Sequence, residues 1–295
     1  MPHLLDVLRG FLMGSADVVP GVSGGTVALV LGIYERLVRQ IRTGAGALAS
    51  LVRLRWAEGW ERFTSVDWRF LLPLLAGIAL AIVSLAALID RLLEEEPQNT
   101  AAAFFGLVAG SIVIAWRLVR SWNATIVALG AAVAVAAFFL LGLRGDEVSD
   151  PALALFFGAG AVAIVAMILP GISGSFILLM LGMYQPVLDA VNDRSLDVIV
   201  VFGIGAVLGL ALFSTLLDRL LRDHHDAVMA ALIGLMAGSL RVLWPWPDGA
   251  DTARLASPED PAVPVLLALA GLAVVLAVGL FAVRTGDDHI RPETG

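Results

Sequence analysis

Cysteine and lysine are both missing from these 295 residues, and charged residues of all kinds make up only 15%. Without cysteine there is no disulfide, no thiolate metal site and no cysteine nucleophile. Histidine is sparse as well. His3, His224, His225 and His289 fall outside the apolar stretches, which speaks against a histidine relay or metal site, and His224-His225 reads as a solvated loop. Dinucleotide fingerprints, P-loops and HExxH runs are absent, so neither a cofactor nor a nucleic-acid partner is expected. Soluble domains hold about 45–50% apolar and about 25% charged residues. Here 59% are apolar and the mean hydropathy is +0.90, which excludes a soluble globular domain. The ten-residue alternation of a membrane barrel is missing too. What remains is an all-α, polytopic membrane protein. Residues 1–10 show no basic region, apolar core and cleavage site in sequence, so no removable signal peptide is expected.

A crossing helix needs about 20 apolar residues, and six stretches supply them: Phe70–Ile89, Thr100–Val119, Ala124–Leu143, Val198–Leu217, Ala227–Val242 and Pro264–Val283. Two further regions, Leu4–Gln40 and Ala152–Ala190, are apolar for nearly forty residues but are interrupted by Pro20-Gly21 and Pro170-Gly171. Proline followed by glycine stops a helix.

The interruptions match one another at an offset of 150: PGVSGGTVALVLGIY from Pro20 and PGISGSFILLMLGMY from Pro170 share eight of fifteen positions, including the only two tyrosines, Tyr34 and Tyr184. A second match at offset 128 pairs Gly77 with Gly205, Asp90-Arg91-Leu92-Leu93 with Asp218-Arg219-Leu220-Leu221, Gly106 with Gly234, Gly110-Ser111 with Gly238-Ser239, and Trp116 with Trp244. The chain reads as a duplication. One copy spans 1–147 (broken hairpin 4–40, amphipathic insertion 43–69, three spans) and the other 148–295 (broken hairpin 152–190, three spans). Three spans per copy is odd, so a hairpin that returns to its own side makes the copies inverted repeats, the plan of many secondary transporters.

Net charge is −7, but orientation follows basic residues in short loops rather than net charge. With the N-terminus inside, thirteen arginines fall on the cytoplasmic side, against Arg91, Arg144, Arg194, Arg241 and Arg254 opposite. The protein is therefore expected in the cytoplasmic membrane with both termini on the inside. Trp56, Trp60, Trp68, Trp116, Trp122, Trp244 and Trp246 lie at or beyond span ends, as an interfacial belt would. The insertion LASLVRLRWAEGWERF mixes Arg with Leu and Trp at helical spacing. It is expected on the cytoplasmic leaflet, against membrane lipids.

A helix broken at membrane depth is tolerated only where protein buries it or it lines a polar cavity. After each break comes a polar run, Ser23-Gly24-Gly25-Thr26 and Ser173-Gly174-Ser175, and then a new helix. Serine caps helices, glycine admits close approach, and free amides at a helix start attract anions. The two starts are expected to face one another around a phosphate or carboxylate. Tight packing with no ligand is the bland alternative. Arg9 and Asp17 lie eight residues apart in the first arm, about two turns, too far for direct pairing but expected to bracket one cavity. Arg9 either contacts the anion or snorkels to the surface. Asp17 is either a proton-handling carboxylate, with protons as the coupling ion, or a helix cap. Asp90-Arg91, Asp218-Arg219 and Glu35 fall at span ends and read as solvated.

GSADVVPGVSGGTVALVLGIYERL and LPGISGSFILLMLGMY resemble the PopT family of polyprenyl-phosphate translocases, over most of the chain. The resemblance implies a substrate, undecaprenyl phosphate, returned from the outer to the inner leaflet for reuse in envelope synthesis. It carries site roles only onto Asp17, Ser23, Gly24, Gly25, Thr26, Ser173, Gly174 and Ser175. The prenyl tail would stay in the bilayer through a lateral opening. Two rivals are weighed against it. Undecaprenyl-pyrophosphate phosphatases show a similar pattern, but Gly174 stands where they carry arginine and no paired glutamates lie in the arms, so an enzyme is not expected. An ion-coupled transporter of a small soluble anion would use the same broken helices.

Overall fold

Hydrocarbon offers backbone amides no partner, so each segment must satisfy its own and helices are the economical solution. The computed structural model describes residues 2–19, 22–143, 145–247, 249 and 255–286, and among these every regular element is an α-helix. The first half runs α1 (Pro2–Asp17), α2 (Gly24–Val30), α3 (Tyr34–Val52), α4 (Trp56–Thr64), α5 (Trp68–Glu95), α6 (Pro97–Trp116) and α7 (Ala124–Leu140). The second runs α8 (Leu153–Ile168), α9 (Gly174–Met180), α10 (Tyr184–Asn192), α11 (Leu196–Asp223), α12 (His225–Ser239) and α13 (Ala262–Gly286). The expected Pro20-Gly21 break, Arg144, Arg254 and His289 lie outside the described residues.

The six expected crossings correspond to α5, α6, α7, α11, α12 and α13. Four of these, α5, α6, α11 and α13, are long and apolar enough to cross a bilayer alone; α7 and α12 are shorter apolar helices, and α9 and α10 form a pair bent by 113°. Boundaries follow local chemistry. The Asp67 carboxylate caps α5 by accepting from the Phe70 amide at 3.2 Å, and Asn123 caps α7 through the Ile126 amide at 2.9 Å. The insertion forms the end of α3 and all of α4, separated by Leu54 in the left-handed region (φ 59°). Trp56 and Trp60 on α4 remain exposed.

Lipid tails are as apolar as leucine, so helices associate here by close contact at small residues rather than by hydrophobic exclusion. The glycines show where. A methyl group added at Gly10 would sit 2.0 Å from the Leu74 carbonyl oxygen, and one at Gly160 would sit 2.2 Å from that of Phe202. Gly77 against Val7 and Gly205 against Phe157 repeat the relation at 2.0 Å each. Thus α1 lies on α5 as α8 lies on α11, at the offsets of 150 and 128 seen in the sequence. The third helices behave differently. Gly106 and Gly110 of α6 meet Ala268 and Leu272 of α13, while Gly234 and Gly238 of α12 meet Gly130 and Ala134 of α7. Each half therefore gives its last helix to the other half's middle one. Residue numbers rise together across all four contacts, so every pair runs parallel. Val83, Leu212 and Leu266 stay exposed toward lipid, and the main core gathers Leu29, Phe70, Leu74, Val108 and Met236 around the first hairpin.

Three expectations need correction. Asp218 is not a solvated span end: it is buried and bridged by Arg42 and Arg222. His225 is no solvated loop residue either, because its ring contacts Glu35 and Asp226. Trp246 is not at a free interface but buried, edge-on to Trp244, which in turn packs on Phe105. For Asp218 and His225 a partner distant in sequence supplies the environment.

Candidate functional site

The two interruptions touch. α8 stops at Ile168 because Leu169 turns extended, and Gly171 (φ +88°) reverses the chain where a side chain would strike Met236 and Ser239. Such a positive φ is open to glycine at little cost. The Gly171 amide donates to Thr26 Oγ1 at 2.8 Å in a buried bond, the Ser23 hydroxyl donates to the Met167 carbonyl at 3.3 Å, and the Tyr34 hydroxyl donates to the Ile168 carbonyl at 3.2 Å. Carbonyls freed by the end of α8 thereby receive donors from the first hairpin. Gly25 is needed for this contact: a methyl group there would lie 2.8 Å from the Ile168 carbonyl oxygen.

The two helix starts are not chemically alike. At α2 the Asp17 carboxylate accepts from the Gly24 amide at 2.6 Å, and the Ser23 hydroxyl accepts from Gly25 at 3.1 Å. The expectation of free amides at that start is corrected: an internal carboxylate already holds the position of an anion. At α9, Ser173 gives no side-chain cap among the described residues; its hydroxyl instead pairs with that of Ser175 at 2.8 Å. Met167, at Asp17's counterpart position, packs on Gly174 where Asp17 packs on Gly24. Ser23, Gly24, Gly25, Thr26, Ser173 and Gly174 are buried, Asp17 is half-buried and Ser175 is exposed. Arg9 stands apart. Its guanidinium pairs with Asp6 at 2.9 Å on the same helix rather than bracketing a cavity with Asp17.

Beside the junction opens an apolar cleft of about 190 Å³ between α1, α2, α6 and α13, lined by Leu12, Val22, Val30, Phe104 and Val275, with Thr26 among its walls. In the second half the equivalent position of Thr26 is Phe176, which packs with Ile172, Ala166 and Ala137 in a core cluster. One side of the junction thus borders an apolar cleft while the equivalent position on the other is filled by Phe176. A second cavity, about 280 Å³, is lined by Gly32, Tyr34, Glu35, Leu118, His225 and Met229. Sequence reasoning missed Tyr34 and the Glu35–His225 contact. The tyrosine had a signal in being one of only two; the histidine had none, because its partner lies 190 residues away.

Long apolar helices, with two interruptions that meet beside an apolar cleft, define a polytopic helical membrane protein. Comparison with known proteins makes this specific. The chain belongs to the undecaprenyl phosphate translocase-like family, whose model matches residues 13–259. It is 41% identical over 251 residues to a polyprenyl-phosphate transporter of Vibrio cholerae, covering 84% of this chain and 80% of that protein. It is 32% identical over 259 residues to a polyprenyl-phosphate transporter of Staphylococcus aureus, covering 82% and 86% respectively. No solved structure matches it.

Proposed function

We propose that this chain is a flippase, not an enzyme, which carries undecaprenyl phosphate or a related polyprenyl phosphate from the outer to the inner leaflet of the cytoplasmic membrane, with both termini inside. The observation that carries the reading is the contact between the two interruptions, in a chain whose relatives are named polyprenyl-phosphate transporters. A phosphate monoester bears about −1.5 to −2 charge at neutral pH and suits helix-start amides and hydroxyls. Ser173, Gly174 and Ser175 offer such groups at α9. At α2 the phosphate exchanges with Asp17, whose carboxylate leaves the Gly24 amide as the halves part. A proton taken up by Asp17 would weaken that carboxylate's hold, which makes protons the candidate coupling ion. The prenyl tail occupies the cleft beside Thr26 and continues into membrane lipid, so that only the head crosses.

In this reading the halves are inverted repeats. Support comes from the helix directions: α5, α6 and α7 alternate, α7 runs parallel to α12, and α12 reverses from α11, so α5 and α11 point opposite ways. Rocking of one half on the other then exposes the junction to each leaflet in turn. The test is leaflet-to-leaflet movement of a prenyl phosphate in proteoliposomes, with and without a proton gradient. Ser23→Leu and Ser173→Leu are expected to abolish movement with the fold intact, because either side chain fills the junction. Retained movement in both variants removes the site. Competition by inorganic phosphate but not by long-chain prenyl phosphate assigns the chain to small soluble anions instead.

A further inference from the structure

The cavity lined by Tyr34, Glu35 and His225 is bordered by a three-membered contact that the transport reading leaves unused. His225 opens α12, and its ring, mostly shielded from solvent, points Nε2 at Glu35 Oε1 (3.2 Å) and Nδ1 at Asp226 Oδ1 (3.1 Å). Ionised carboxylates only accept, and a neutral imidazole has a single N–H. Both contacts are hydrogen bonds only when the ring carries two protons. Asp226 is fixed independently of this, because its carboxylate also accepts from the Arg120 amide at 3.0 Å and from the Ser121 amide and hydroxyl at 2.9 Å each. These bonds, with His225 first among them, hold its carboxyl well below the usual carboxylate range. Glu35 has no such anchor among the described residues. Losing the second ring proton therefore releases Glu35 and leaves Asp226 in place.

Among the described residues, the groups recorded at this trio come from three elements. From α3 come Glu35 and the Tyr34 side chain; from α12, Asp226; from the turn after α6, the Arg120 and Ser121 amides. Neighbouring guanidinium groups are engaged elsewhere: Arg36 with Asp67, Arg219 with Asp223 and Arg222 with Asp218. The contact has no counterpart at the repeat-related positions. At the matching offsets Gln185 replaces Glu35, Pro97 replaces His225 and Gln98 replaces Asp226, and none of these titrates.

We infer that His225, Glu35 and Asp226 form a proton site that latches one mouth of the protein: the protonated ring ties the start of α3 to the start of α12 across the cavity, and deprotonation opens it. Tyr34, the cavity's inner wall, is bonded to the end of α8, so the latch lies one side chain from the junction. The latch is a statement about geometry and protonation; only its effect on flux rests on the transport reading.

Because the chain has no cysteine, a single Leu118→Cys substitution gives a unique label in the cavity wall. Its reaction with a membrane-impermeant maleimide is followed from about pH 8 to about pH 6, each rate divided by that of Leu118→Cys/His225→Gln at the same pH to cancel thiol ionisation. Partly exposed ion pairs shift an equilibrium by about two- to fivefold, so the ratio is expected to fall by that factor on acidification. Glu35→Gln should abolish the fall, and Met229→Cys on the facing wall should reproduce it. A ratio that stays constant, or a fall that survives Glu35→Gln, overturns the latch. Prenyl phosphate movement is measured on the same proteoliposomes: absence of movement defeats the transport reading alone, whereas movement with a constant ratio defeats the latch alone.

Discussion

Replacing Thr26 with valine keeps the side chain's shape and removes one oxygen, the atom that accepts from the Gly171 amide at 2.8 Å. Thr26 is 2% exposed, so neither lipid headgroups nor bulk water can replace the lost acceptor. A buried donor left without a partner costs about 1–3 kcal/mol. For a protein of this size class each kcal/mol moves the thermal midpoint by about 2–4 °C, which places the expected drop at about 2–12 °C. Thr26→Ser is the control, since it keeps the oxygen and sacrifices only a methyl group, worth about 0.8 kcal/mol. Midpoints of the three proteins in the same detergent, with prenyl phosphate movement measured alongside, decide the matter. Valine should be the least stable. If valine matches the parent and serine falls below it, the methyl packing holds the hairpins together and the interlock through Gly171 is wrong.

Other consequences are open to the same methods. Asp17→Ala should cost about 0.5–2 kcal/mol by uncapping α2, whereas Asp17→Asn retains an acceptor and the fold; if Asp17 handles protons, Asn flattens the pH profile of transport, and an unchanged profile leaves it a cap. Gly205 and Gly203 are two residues apart on α11, yet a methyl group at Gly205 meets the Phe157 carbonyl at 2.0 Å while one at Gly203 meets nothing within 4 Å. Gly205→Ala should therefore lose about 1–3 kcal/mol by forcing α8 and α11 apart, and Gly203→Ala should gain up to about 1 kcal/mol, both read from thermal midpoints. Asp67 titrates below its ordinary value because the Arg36 side chain donates to its carboxylate. A depressed value means its contribution is complete above about pH 4 and is lost on further acidification. Its share of the midpoint should be flat between about pH 5 and pH 8, and Arg36→Met should shrink the fall seen below about pH 4.

Patterns with short range carried most of the fold. Apolar runs marked the crossings, proline-glycine pairs marked the interruptions, and repeated Pro, Gly, Ser and Tyr aligned the hairpins. The exchange of α7 and α13 was not legible, because the two helices are built from Ala, Val and Leu and share no rare residue to fix their offset. At the site, serine and glycine announced that helices begin there, but the occupant of the α2 amides depended on Asp17 curling back seven residues. Arg9 misled for a related reason: helical spacing put it on Asp17's face, while Asp6, three residues away, offered the nearer carboxylate. Asp218 and His225 looked peripheral because their partners, Arg42 and Glu35, come from the opposite half.

The reciprocal loan of terminal helices bears on biogenesis. Until α13 is synthesised the glycine face of α6 has no neighbour to receive it, since Ala268 and Leu272 form its wall. The first hairpin can dock on α5 early, but closure of the described bundle waits for the insertion of α13. The two halves made as separate polypeptides should accordingly remain prey to quality-control proteases when made singly and be rescued when both pieces are co-expressed.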